Sequence, residues 1–192
     1  MLSMLATSVP IIVATILNMF FLKTSLFQTL NKPIDNQITL KDGNRLFGAN
    51  KTWRGFWGMV FFSSICCIAW GGLSSQIPAL EKYVLLYSHY ENSVLYNFLV
   101  GVLLGLAYGI FELPNSFLKR RINIQPGKSK KSLGGIGFIV LDQVDSLFGC
   151  VLVVSLVHPM TLFYYISFVI FGGFIHIVLS SLLYLMKLRS NF

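Results

Sequence analysis

Charge is what this sequence has least of. Only 11% of its 192 residues are charged and just seven are carboxylates, where an ordinary soluble domain carries roughly 25% charged residues. That shortage excludes a water-facing globular surface. Cysteine is scarce as well: Cys66 and Cys67 are adjacent and Cys150 stands alone. Adjacent cysteines rarely bond to each other, and no second pair or nearby His supplies zinc spacing, so neither a disulfide framework nor a zinc module fits. Internal repeats and low-complexity stretches are absent. Gly127-Lys128-Ser129 ends like a phosphate-binding P-loop, but position 122 is Ile where that motif needs Gly.

What the chain has instead is apolar length. Hydrophobic residues make up 55% and the mean hydropathy is +0.70. A helix needs roughly 20 apolar residues to cross the hydrocarbon core, and five such runs occur, at about 4–22, 56–77, 94–113, 138–157 and 161–186. The reading is an all-α integral membrane protein with five transmembrane helices in one domain over 1–192. Residues 23–55 and 114–137 are read as cytoplasmic loops. The fourth run spans only if Asp142 and Asp145 lie inside its first two turns. The first run has no basic flank ahead of it and is long enough to span, so it should insert as a reverse anchor rather than be removed as a signal peptide.

Fifteen Lys and Arg give a net charge of +8, and their distribution orients the chain. Six lie between spans one and two, six between spans three and four, and two in the tail, leaving Lys82 for the remaining connections. By the positive-inside rule the N-terminus is outside and the C-terminus cytoplasmic. The basic residues thus serve topology and phosphate binding, and no nucleic-acid partner is expected. A multi-pass protein of a prokaryotic cell (inner) membrane, with its site on the cytoplasmic side, follows; a homodimer is compatible with these spans. Gly101, Gly105 and Gly109 recur every four residues, a small-residue face for close helix packing.

Three of the seven carboxylates, Glu112, Asp142 and Asp145, stand at the ends of apolar runs, where ionisable groups are costly and mark function. Asp142 and Asp145 are three apart and share a helix face. Their mutual repulsion is relieved by a cation between them, and Mg²⁺, a hard ion usually held by one or two carboxylates plus substrate phosphates, suits them. Glu112 is the candidate third oxygen ligand. Salt bridges from these acids to Lys119 or Arg120 are the other reading. The basic segment Ser116-Phe117-Leu118-Lys119-Arg120-Arg121 follows Glu112, and Gly48-Ala49-Asn50-Lys51-Thr52-Trp53-Arg54-Gly55 precedes span two. Lys and Arg in both can hold phosphate oxygens, Arg bidentately. His176 and Ser180, four apart in span five, read first as packed core, and His89 and His158 fall on the outer side.

These pieces together resemble the CDP-archaeol synthase family. Pro33-Ile34-Asp35, Asp42-Gly43-Asn44-Arg45 and Gly48-x-Asn50-Lys51-Thr52-Trp53-Arg54-Gly55 look like its first cytoplasmic loop. Ser116-x-x-Lys119-Arg120, Pro126-Gly127 and Asp142-Gln143-x-Asp145 follow in the family's order, and the first and last of these also resemble the CDP-diacylglycerol synthases. The resemblance implies a CTP-dependent cytidylyltransferase joining CMP to a membrane lipid phosphate, with release of pyrophosphate and use of Mg²⁺. It puts Asp142, Asp145 and Glu112 on metal and makes Lys119, Asp142 and Asp145 catalytic. Asn50, Lys51, Thr52, Arg54, Ser116, Lys119 and Arg120 would meet phosphate. Ala49 and Ser180 depart from the family's usual residues, and the histidine-glycine-glycine of the diacylglycerol enzymes is absent. A CTP-dependent polyprenol or lipid kinase and a transporter of a phosphorylated solute remain alternatives at this point.

Overall fold

The computed structural model describes residues 1–125 and 133–185, excluding the side chains of 133–136 and 139. Pro126-Gly127, Lys128, Lys130, Lys131, Lys187 and Arg189 lie outside the described residues. Six α-helices follow in order: α1 Leu2–Lys23, α2 Trp53–Ser75, α3 Pro78–Glu81, α4 Val94–Arg121, α5 Leu133–Val157 and α6 Leu162–Leu185. All but the one-turn α3 are long and apolar enough to cross a membrane, and no strand occurs among the described residues. The protein is a multi-pass helical membrane protein, as the apolar runs predict.

The order of packing is α1 on α2, α2 on α4, α4 on α5 and α5 on α6, with α6 returning lightly to α1. The four-residue glycine spacing explains why α4 is central. A Cβ on Gly101 would lie 2.5 Å from the Ser64 backbone, and one on Gly105 would lie 2.5 Å from Val60 Cα. Only glycine lets α2 and α4 approach this closely, and Ser63 Oγ uses the proximity to donate to the Gly101 carbonyl at 2.7 Å. Without a hydrophobic force between helices in lipid, such contacts carry the association.

Three boundaries differ from the sequence reading. Helix α2 starts at Trp53 because Thr52 caps it, its hydroxyl accepting from Gly55 N at 3.2 Å. Helix α5 begins at Leu133, so Asp142 and Asp145 sit in its middle turns rather than its first two. The largest difference is α4, which continues through Pro114 to Arg121, so residues 114–121 are helix and not loop. Proline weakens a helix interior by removing one hydrogen bond. The continuation is held by tertiary contacts from Asn115, Lys119, Arg120 and Arg121, and three basic residues in the last turn suit the helix dipole.

Candidate active site

The continuation of α4 builds the site. Glu112, Asn115, Ser116 and Lys119 follow at helical spacings of three and four, so they share one face, and that face meets the aspartates of α5. Asn115 is buried at 4% exposure. Its Nδ2 donates to Asp142 Oδ1 at 2.6 Å and to Asp145 Oδ2 at 2.7 Å. Lys119 Nζ pairs with both oxygens of Asp142, and Asp145 Oδ1 accepts from Ser146 N at 2.6 Å. The salt-bridge reading of the acids is therefore present alongside the paired-carboxylate reading.

Glu112 has a cationic partner of its own. Its carboxylate pairs with Lys51 Nζ, and among the described residues no three His, Cys, Asp or Glu side chains converge on one metal position. Burial opposes the charge on Lys51, but Glu112, with Asp145 and Asp142 beyond it, outweighs burial and raises its pKa. Lys51 stays cationic at neutral pH.

The loop between α1 and α2 is a folded roof. Asp35 is 2% exposed and accepts from the backbone N–H of Gln37, Phe47 and Gly48 at 3.0, 3.2 and 2.9 Å, as well as from the Arg45 guanidinium. Gly48 takes φ +99° to present its N–H, a conformation that disfavours side-chain-bearing residues. The roof is tied to the end of α4. Arg121 donates to both oxygens of Asp42 at 2.7 Å, Arg120 Nε donates to Phe47 O at 3.1 Å, and Asn44 Nδ2 donates to Asn123 Oδ1 at 2.8 Å.

Burial raises the Asp35 pKa, but Arg45 and the three N–H groups more than reverse this and hold it at about 2, against 3.8 unperturbed. A depressed carboxylate pKa stabilises the roof above about pH 4, and that stabilisation is lost as pH falls through about 2. Pepsin in detergent should therefore cut the roof readily at pH 2 and slowly at pH 4, normalised to an unstructured substrate. Asp35→Asn should be cut readily at both; equal resistance of the parent at both would contradict the assignment.

A cavity of about 1100 Å³ lies under this roof, lined by Asn50, Lys51, Thr52, Glu112, Ser116, Lys119, Arg120, Asp142 and Asp145. The structure thus gathers every candidate metal, catalytic and phosphate-binding residue of the sequence reading but one. Arg54 is 2% exposed and donates to the carbonyls of Phe21, Leu22 and Thr24 at 2.8, 3.3 and 2.9 Å, lying over the Phe21 ring at 4.7 Å. It closes the C-terminal end of α1, whose carbonyls lack intrahelical partners, and does not line the cavity. The sequence reading missed Asn115. The signal was its place between Glu112 and Ser116, legible only if the helix is carried past Pro114.

Away from the roof the lining becomes mainly apolar, with Ile12, Ile16 and Met19 from α1 and Ile175, Leu179 and Leu183 from α6. His176 also lines it and shares a hydrogen bond of 3.2 Å with the Gln143 carbonyl. Because a carbonyl only accepts, Nδ1 carries the proton, and the ring steadies the α5 turn between the two aspartates. The donor set fits a hard divalent ion, with two carboxylates close enough to share one amide.

The CarS-like CDP-archaeol synthase family model matches residues 3–192. A CDP-archaeol synthase of Pyrococcus furiosus is 36% identical over 108 residues, 56% of each chain. That of Methanococcoides burtonii is 30% identical over 137 residues, 67% of this chain and 68% of the relative. The alignment thus spans just over half the length of the Pyrococcus relative. A solved intramembrane enzyme for archaeal membrane lipids biosynthesis superposes with a TM-score of 0.59 at 19% identity, covering 90% of this chain and 92% of its own, a likeness of fold. With a family match across nearly the whole sequence, this chain belongs to the CDP-archaeol synthase family.

Proposed function

We propose that the protein transfers CMP from CTP to a membrane lipid phosphate of the archaeol phosphate or phosphatidate type, releasing pyrophosphate, for phospholipid biosynthesis. The observation that carries this reading is the continuous cavity, cationic and acidic beneath the roof and apolar between α1 and α6. A triphosphate fits the first part, entering from water, and lipid chains fit the second. Fourteen of the fifteen basic residues fall on one side of the spans, which supports an N-terminus outside and the site and C-terminus in the cytoplasm.

The chemistry needs little from the protein by way of proton transfer. A phosphate monoester has a second pKa of about 6 and is largely ionised at neutral pH. A lipid phosphate oxygen attacks the α-phosphorus, the bond to the β-phosphate bridging oxygen breaks, and pyrophosphate leaves with that electron pair. The obstacle is repulsion between two polyanions. Lys51 and Lys119, each now paired with a carboxylate, and Arg120 beside them neutralise phosphate oxygens. Asn50, Thr52 and Ser116 add neutral contacts that orient the chain of phosphates. Mg²⁺ held by Asp142 and Asp145 would supply further charge neutralisation on the triphosphate.

Purified protein given Mg²⁺, a lipid phosphate and CTP labelled at the α-phosphate should yield labelled CDP-lipid. Label entering only from the γ-position would show a kinase instead. Lys119→Met should lower this turnover about a hundredfold without shifting the melting temperature by more than a few degrees. Unchanged turnover would remove Lys119 from the machinery.

A further inference from the structure

Asn115 holds a position that its hydrogen bonds do not fully explain. Both hydrogens of its amide go to the aspartates, one to each. Its Oδ1 is buried and has no hydrogen-bond partner among the described residues. An interior amide normally satisfies both ends, so one end of this side chain is committed to the carboxylates and the other is stranded.

We propose that Asn115 is an oxygen ligand of the divalent ion held by Asp142 and Asp145, its amide turning end for end when the ion enters so that Oδ1 replaces Nδ2 against the carboxylates. The inference rests on the proposed function above and adds a residue to its site. Without a cation, an amide oxygen facing two carboxylates is repelled, and the N–H groups must face them. With a divalent cation between the carboxylates, the sign reverses: the N–H groups oppose the ion and the oxygen is attracted. One buried end of the amide is already unpaired, so turning it creates no new kind of cost, and the two ends are nearly equal in size, so it needs no new space.

The same residues argue against Glu112 in this role. Its carboxylate is engaged by Lys51, and it does not join the aspartates in a metal-binding group among the described residues. Asn115 lies one helical turn further along the same face of α4 and already touches both aspartates. Hard cations take amide oxygens as well as carboxylates. The third oxygen sought in Glu112 is thus supplied by its neutral neighbour.

The test uses Mn²⁺ as the probe, on the purified full chain in detergent. Asparagine labelled at its amide carbon with a magnetic carbon isotope is incorporated, and pulsed electron-nuclear double resonance is recorded on the bound Mn²⁺. A strong carbon coupling is expected in the parent protein and should vanish in Asn115→Asp, whose new residue is unlabelled. Asn115→Asp should hold Mn²⁺ at least as tightly as the parent, and Asn115→Leu about tenfold more weakly. Bound Mn²⁺ without the carbon coupling in the parent overturns the proposal while leaving the carboxylate site standing. Mn²⁺ held equally well by Asp145→Asn overturns the carboxylate site itself, and the proposal with it.

Discussion

Asp145→Asn should lower CTP-dependent turnover at least about a thousandfold while the protein stays folded and membrane-inserted. The substitution keeps the side-chain shape and removes one negative charge from a group that is 9% exposed. It can still accept from Ser146 N, as Asp145 does at 2.6 Å. Asn115, which now donates to it at 2.7 Å, can adjust its amide to a neutral partner. Stability therefore falls little. On the proposed function turnover depends on the paired charge, because replacing one of the two carboxylates by an amide halves the negative charge that attracts a divalent ion. Losing a single preorganised electrostatic contact costs about a hundred- to a thousandfold, and losing Asp145 as the proposed ligand of the ion would remove several such contacts together. Turnover of α-labelled CTP, with a thermal melt in detergent as the folding control, decides the matter. Full activity in the variant would sink the assignment of Asp145.

Gly105→Val should cost the fold itself. A Cβ at Gly105 would lie 2.5 Å from Val60 Cα, 2.9 Å from Val60 N and 2.4 Å from Ser63 Oγ. The first two are backbone atoms and cannot rotate aside, so α2 and α4 must separate. Separation also weakens the Ser63 Oγ to Gly101 carbonyl bond of 2.7 Å. Overpacking of this kind costs about 1–3 kcal/mol when side chains can yield, and more is expected when the obstacle is backbone. The variant should melt at least about 10 °C lower, or fail to be recovered as a monodisperse peak. Gly72→Val is the matched control, since a Cβ there meets nothing within 4 Å. If both variants melt with the parent, the close approach of α2 and α4 is not what holds the bundle.

Much of this architecture was legible in the sequence because lipid imposes simple rules. Long apolar runs set the number of spans, glycine spacing marked the central helix, and two aspartates three residues apart had to share a face. The rest depended on partners far away in sequence. Proline at 114 argues locally for an end to the helix, and only the contacts made by Asn115, Lys119 and Arg120 overrule it. Arg54, within a glycine-rich basic segment, looks like a phosphate ligand; that it closes α1 follows from the end of that helix lying beside it. Glu112 and Lys51 are 61 residues apart, and no local pattern announces their pairing. Asp35 stood in a recognisable motif, yet its role as the hub of the roof required Phe47 and Gly48 to fold back over it.

The roof has a thermodynamic consequence. Asp35, Arg45 and the ties from Arg120 and Arg121 are complete within the protein, so the segment over the cavity is ordered before any substrate arrives. Ordering a flexible segment on binding costs conformational entropy that subtracts from affinity. Here that cost is met during folding, and on the proposed function the full strength of the phosphate contacts remains for holding the nucleotide.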